Sequence, residues 1–217
     1  MKQIPAPMAE RLRLAAVPIA ARGLDQTRLE DLAAATGVPR ATLYYYFAGK
    51  EDILAFLLRD FLTTMGDAVT AAASGPGLAR PRLAAVIHAQ LEVMAAQPHV
   101  CQALLAELGR AGRIPDIAHS IGQAFHQPVL DLLRAGAKDG SLRRLPDPAV
   151  AARTIFGAVV ASALADLLVA GTVAVDQLGK RVTDLVLRGI QPATTPPPHA
   201  PTVTAPRPRR TSRPVTS

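Results

Sequence analysis

Cysteine is nearly absent: the 217-residue chain has one, Cys101. A single thiol excludes an internal disulfide framework and a cysteine-rich zinc site, and it suits a reducing cytoplasm. Tryptophan is missing, and aromatic residues make up only 4%. No apolar signal-peptide stretch precedes Glu10; Lys2 is followed instead by Pro5 and Pro7. The chain also lacks the patterns that carry common chemistries: no G-x-x-x-x-G-K-[ST], no H-E-x-x-H, no G-x-S-x-G. Residues 109–113 (GRAGR) hold two glycines but not the full phosphate-loop spacing, and no strand precedes them. These absences lead away from an enzyme and away from any bound cofactor.

What is present is apolar and helix-forming. Hydrophobic residues reach 49%, mostly Ala, Leu and Val, and Ala and Leu favour helix. The expected fold is all-α. Net charge is +7, which favours polyanionic partners. Its placement weakens that argument. Residues 191–217 carry Arg207, Arg209, Arg210 and Arg213 and no acid; the rest keeps 20 basic and 17 acidic residues, a net +3. That tail also holds eight Pro and six Thr, too little apolar material to offset ordering entropy, so it is predicted disordered. Its arginines add at most a salt-dependent, sequence-independent affinity for DNA.

The longest apolar run is 155–175. It has the length of a membrane span, but Asp166 stands at its middle, where a charge is costly in lipid. A helix buried at a protein interface is the better reading, with no membrane partner.

Periodicity and punctuation predict about nine helices. The first covers 8–22 and contains Pro18, which removes a bond toward Leu14 and kinks it; Gly23 closes it. Thr27 and Glu30 read as a capping box for the next helix, which runs to about Thr36. Gly37-Val38-Pro39 is a break, a short helix spans 40–46, and Ala48-Gly49 is a second break. A longer helix starts at Lys50. Further helices are expected at about 79–96, 99–111, 115–138, 147–171 and 175–190. The organisation is a reading unit at 1–50, a helical unit at 51–190 and the tail at 191–217.

Residues 29–47 carry a specific mechanical logic. Two helices crossing steeply need a small residue at the contact, Ala33, and a turn residue tolerating positive φ, Gly37. Leu29, Leu32, Val38, Leu43 and Phe47 fall at interior places. Arg40, Thr42, Tyr44 and Tyr45 are left outward. Tyr44, Tyr45 and Tyr46 span about 200° of helix and cannot all be buried; exposed tyrosines suit phosphates, sugars and thymine methyls. The pattern is a helix-turn-helix.

The segment AARGLDQTRLEDLAAATGVPRATLYYYFAGKEDIL (20–54) resembles the N-terminal domain of tetracycline-repressor (TetR) family regulators. Gly23, Thr27, Leu32-Ala33, Gly37-Val38, Thr42-Leu43-Tyr44 and Phe47 through Lys50 carry the likeness. The resemblance implies a three-helix DNA-binding domain followed by a helical ligand-binding and dimerisation domain. It implies a cytoplasmic transcriptional regulator, usually a repressor, on double-stranded DNA with an inverted-repeat operator. Thr27, Arg28, Arg40, Ala41, Thr42, Tyr44, Tyr45 and Lys50 would face that DNA, with Thr27 and Lys50 on phosphates beside helix N-termini. Ala41 gives no polar reach, which leaves base reading to Arg40.

The resemblance further implies a homodimer through the last two helices. Their small and apolar residues support this, and Phe156, Val160, Leu164, Leu167, Leu168, Leu178, Val182 and Leu185 are the candidates. A small, largely apolar effector would enter among Phe61, Met65, His88, Met94, Cys101, Leu104, Leu105, Leu108, Phe125 and Phe156. Ordinary core packing is the competing account of each. His119 and His126 share a spacing of seven, but a metal site needs more ligands. A regulator without an effector, and a helical adaptor that has lost DNA binding, are the alternatives.

Overall fold

Pro18 sets the shape of the first element. It has no N–H for the Leu14 carbonyl, and its ring crowds that oxygen. The helix breaks there. In the computed structural model, which describes residues 4–107 and 117–190, α1 spans Ala6–Arg13 and α2 spans Ala16–Gln26. The Leu14 carbonyl accepts instead from Val17 N–H at 3.1 Å. The expected single kinked helix over 8–22 is thus two helices, starting earlier because Pro7 suits a first turn. Leu12, Ala15, Ala16 and Ile19 remain fully buried across the break.

Regular helix stops at Gly23, whose φ of 76° and ψ of 161° lie outside the helical region. The expected capping box then shifts by one residue. Arg28, not Thr27, is the N-cap of α3 (Leu29–Thr36), and the Asp31 carboxylate accepts from the Arg28 N–H at 2.8 Å. That bond, and then Arg22 at 3.2 Å, hold the Asp31 carboxyl below the usual range. Thr27 is drawn inside. Its hydroxyl donates to the Gly23 carbonyl at 2.7 Å and lies 3.1 Å from that of Pro18, while its own N–H goes to Leu24. It closes the end of α2 rather than opening α3.

Gly37 ends α3 with φ of 63°, a left-handed value that a Cβ disfavours. The Arg11 guanidinium donates to the Thr36 carbonyl at 3.1 Å and to that of Gly37, placing a cation at the negative end of α3. After Val38 and Pro39, α4 spans Arg40–Tyr46, as the sequence predicts.

The remaining elements are α5 (Lys50–Ala73), α6 (Ala79–Ala96), α7 (Pro98–Ala106), α8 (Ile117–Ile121), a π-helical turn (Gly122–His126), α9 (Gln127–Asp139), α10 (Pro148–Ala170) and α11 (Val175–Ile190). The predicted helix over 115–138 therefore contains a π turn, with the Gln127 N–H reaching the Gly122 carbonyl five residues back. Pro128, which cannot donate to a helical ladder, follows directly. Counting α1–α2 as one bent rod and α8–α9 as another leaves nine rods among the described residues, all helical. The 191–217 tail, Leu108 and the GRAGR segment lie outside them.

α6 is the central helix, packing against α5, α7, α9, α10 and α11. Buried apolar side chains form one connected core from Leu12 to Ile190. α5 joins the two ends of it, touching α1 and α2 as well as α6 and α7. Asp147 caps α10 by accepting from Ala149 and Val150 N–H, both at 3.0 Å.

Replacing Thr27 with valine keeps its shape but strands the Gly23 carbonyl. Thr27→Val is expected to lower unfolding free energy by about 1–3 kcal/mol, read from the midpoint of urea denaturation. An unchanged midpoint would contradict the inward role of this hydroxyl.

Candidate nucleic-acid interface

Helix α4 is anchored from behind. Leu43 and Phe47 are buried, as are Leu32 and Val38 beneath them, and the Phe47 ring meets Phe56 of α5 edge-on at 5.9 Å. This fixes which side of seven residues faces out. Tyr44 is 54% and Tyr45 60% exposed, and Arg40 and Ala41 are exposed beside them. Thr42 is partly covered, and so is Tyr46, whose ring stands edge-on to Tyr45 at 4.9 Å.

Arg40 is exposed but not loose. Its guanidinium pairs with Glu30 of α3 at 2.5 Å, donates to the Tyr44 hydroxyl at 3.2 Å and lies over the Tyr44 ring at 5.4 Å. Tyr44, and then Glu30, favour its charged form. Glu30 did not stand out in the sequence as a partner of Arg40. The signal was available only in the helix-turn-helix crossing, which brings residue 30 beside residue 40.

The two phosphate candidates fare differently. The Thr27 side chain is fully buried and its hydroxyl is committed to backbone carbonyls, so it offers nothing to a phosphate. Lys50 is partly exposed; its ammonium donates to the carbonyls of Asp25 at 3.0 Å and Thr27 at 3.2 Å. It ties the start of α5 to the end of α2. Arg28 is exposed.

The candidate effector residues separate into groups. Phe61, Met65, Met94, Cys101 and Phe125 are buried. Phe156 is half-buried, its ring 4.5 Å from Phe125 and 5.2 Å from His126. Burial, and then Arg153, push the His126 imidazole toward its neutral form. Burial pushes the Cys101 thiol up to about 12, which removes a thiolate-based sensing role. His88 leaves the set: it lies at the surface with Glu92 and Asp176, each at 3.4 Å. Leu104 is partly covered. Leu105 is 37% exposed and lines an open groove with Val17, Gln102 and Leu168. Gln90, which has no sequence signature, is 1% exposed, and neither its amide oxygen nor its nitrogen meets a protein hydrogen-bond partner.

On the dimer candidates, Leu167 and Val182 are buried within the chain itself. Phe156, Val160, Leu164 and Leu178 are half-buried, while Leu168 and Leu185 are 68% and 73% exposed. The outward face of α10 runs through Gly157, Ala161, Ala165 and Leu168. Ile155, Val159 and Leu167 turn into the core, while Leu168 and Val169 near the end of the helix stay exposed; a Cβ on Gly157 would meet nothing within 4 Å.

Long-range polar contacts join residues 1–50 to the helical core. Glu107, just past α7, accepts from the Leu24 N–H at 2.7 Å, and Arg13 pairs with Asp60 of α5 at 2.8 Å. α2 packs along α7 between them.

Removing the Glu30 charge frees Arg40 for DNA and takes a negative group away from the phosphates. An exposed pair is worth up to about 1 kcal/mol, so Glu30→Gln should tighten DNA binding roughly twofold to fivefold at about 50 mM salt. The gain should shrink as salt rises. Equal affinities at low salt, by fluorescence anisotropy, would rule out the restraint.

Residues 12–56 match the model of the family described as "Bacterial regulatory proteins, tetR family". The HTH-type transcriptional repressor KstR2 of Rhodococcus jostii is 29% identical over 184 residues, covering 83% of this chain and 89% of that protein. A fatty acid metabolism regulator protein of Bacillus subtilis is 25% identical over 144 residues, covering 65% of this chain and 73% of its own length. The solved structure of the ketosteroid transcriptional regulator KstR2 of Mycobacterium tuberculosis superimposes with a TM-score of 0.72 at 25% identity, covering 88% of this chain and 98% of that one. With the left-handed turn at Gly37 and the exposed face of α4, these likenesses identify residues 12–56 as a tetR-family helix-turn-helix domain, part of a transcriptional regulator.

Proposed function

We propose that this chain is a cytoplasmic transcriptional repressor that grips an inverted-repeat operator as a homodimer and releases it when a small, largely apolar molecule enters the helical core. The observation that carries the DNA reading is the exposed row Arg40, Tyr44 and Tyr45 on a helix whose opposite side is locked by Leu43 and Phe47. Residues 1–50 act as the reader and 51–190 as the regulatory and dimerising part. Arg40 is the base-reading residue, since a guanidinium can hold a guanine edge with two bonds. Arg28, Ala41, Thr42, Tyr44, Tyr45 and Lys50 position the helix on sugar, phosphate and methyl groups.

The dimer face is the stripe Gly157, Ala161, Ala165 and Leu168 of α10, with Leu185 of α11 beside it. The helix is apolar enough to cross a membrane by composition, yet its neighbours α9 and α11 are amphipathic or polar outward. Covering the stripe with a second copy removes it from water, and small residues let the helices approach closely. Two-fold pairing sets two readers about 34–36 Å apart on one DNA face.

The effector reading rests on the composition of the core around α6 and on the kind of relatives the chain has, named for ketosteroid and fatty acid metabolism. The mechanical route runs from α7 through Glu107 to the break at Gly23 and so to α3 and α4. A ligand acts along it only by binding one arrangement better than the other.

A gel shift with the intergenic DNA beside its own gene tests the reading. The full chain should shift a fragment carrying an inverted repeat, and Arg40→Ala should lose about 1–3 kcal/mol of discrimination between that repeat and a base-substituted one. No preference over random DNA would overturn the function. Unchanged discrimination in Arg40→Ala would overturn the role of that residue alone.

A further inference from the structure

Leu83, Ile87, Gln90 and Met94 follow one another at spacings of four, three and four, a single row on one side of α6. Leu83 and Ile87 are fully buried, and Met94 is 3% exposed. Gln90 stands in the middle of that row at 1% exposure. It is the one amide in an apolar line on the helix that packs against five others. Apart from it, the polar side chains buried among the described residues are Thr27 and Thr36, both in the reading unit. Each of those is satisfied: Thr27 by the Gly23 carbonyl at 2.7 Å, Thr36 by the Leu32 carbonyl at 2.8 Å. Gln90 differs from them, with both its donor and its acceptor unpaired by protein.

A buried amide with both ends unmet is unfavourable in the free protein. Leucine or methionine would fit the row without that cost. What the amide meets is therefore not protein: it is an internal water or a molecule that enters the core. Its chemistry constrains what that is. An amide has one acceptor oxygen and two N–H donors, and it carries no charge. No Lys, Arg or His is buried in the helical core among the described residues, so an ionised carboxylate brought to this depth would find no counter-charge and would be strongly disfavoured. A carbonyl or hydroxyl, by contrast, pairs with the amide at little desolvation cost.

We propose that Gln90 is the polar anchor of the effector site, and that the effector is a neutral, largely apolar molecule presenting a ketone, ester or hydroxyl oxygen to this amide. The proposal rests on the reading that an apolar effector enters the core. It adds the recognising residue and the chemical class: an uncharged oxygen function, not a free acid. Gln90 thus stores an unmet hydrogen bond that ligand entry satisfies, which makes the liganded arrangement of α6 favourable relative to the free one.

The test compares four probes of equal chain length: n-decane, 2-decanone, 1-decanol and decanoate. Binding to the full-length protein is read by thermal shift and by calorimetry, in wild type, Gln90→Met and Gln90→Leu. In wild type, 2-decanone and 1-decanol should bind at least about tenfold more tightly than decane or decanoate, as one hydrogen bond to the amide provides. In both variants that preference should vanish, with decane binding as well as the ketone, and the ligand-free variants should melt above wild type. The second readout separates an anchor from a structural amide, because a residue needed for packing would lower the melting point when replaced.

Two results overturn the proposal while leaving an apolar effector site in place. One is a preference for the ketone that survives in Gln90→Met. The other is wild type that binds decane or decanoate as tightly as decanone. If no probe binds wild type and none releases DNA, the effector reading itself fails along with the anchor.

Discussion

The structure turns on a break in one helix. At Gly23 the backbone leaves the helical region, and two groups lose their intrahelical partners. The Gly23 carbonyl is taken by the Thr27 hydroxyl, and the Leu24 N–H by the Glu107 carboxylate. Each repair has a consequence. The first turns the chain into α3 and so sets the helix-turn-helix. The second ties that turn to the end of α7, a residue 83 positions away. A polar group left buried and unpaired costs more than a hydrogen bond returns on average. The break is therefore stable only while both partners are in place, and the position of the reader depends on the position of α7.

The reader and the core are accordingly one mechanical object. α5 begins at Lys50, whose ammonium holds the carbonyls at the end of α2, and continues for 24 residues into the apolar core. A shift of α6 and α7 around a ligand cannot be absorbed by a flexible linker, because no linker lies between them and the reader. Close-packed helices move as units. For the effector contact proposed at Gln90, the route to α4 needs only the displacement of helices already in contact.

How much of this was legible in the sequence follows from how local each cause is. Leu32, Gly37, Leu43 and Phe47 were readable because a helix-turn-helix is set by residues within a few turns of one another. The kink at Pro18 was readable for the same reason. Thr27 was misplaced, since a threonine followed three residues later by glutamate has the form of a capping box; the competing demand of the Gly23 carbonyl appears only once the chain folds back. His88 was misassigned because its acidic partner Asp176 belongs to α11. On α10 the run is apolar all round, so no period distinguishes Leu167, which turns inward, from Leu168, which turns out. Glu107 and Gln90 have no sequence signature. Their roles come from what surrounds them across the fold.

The most direct test of the account is site-resolved hydrogen exchange of the Leu24 amide in wild type and in Glu107→Ala. Wild-type Leu24 should exchange slowly for a residue at a helix break, because the carboxylate holds its N–H. In the variant that protection should be lost, and faster exchange should spread into α3 and α4 while the amides of α6 stay unchanged. Equal protection of Leu24 in both proteins would contradict the claim that α7 holds the reader through this bond.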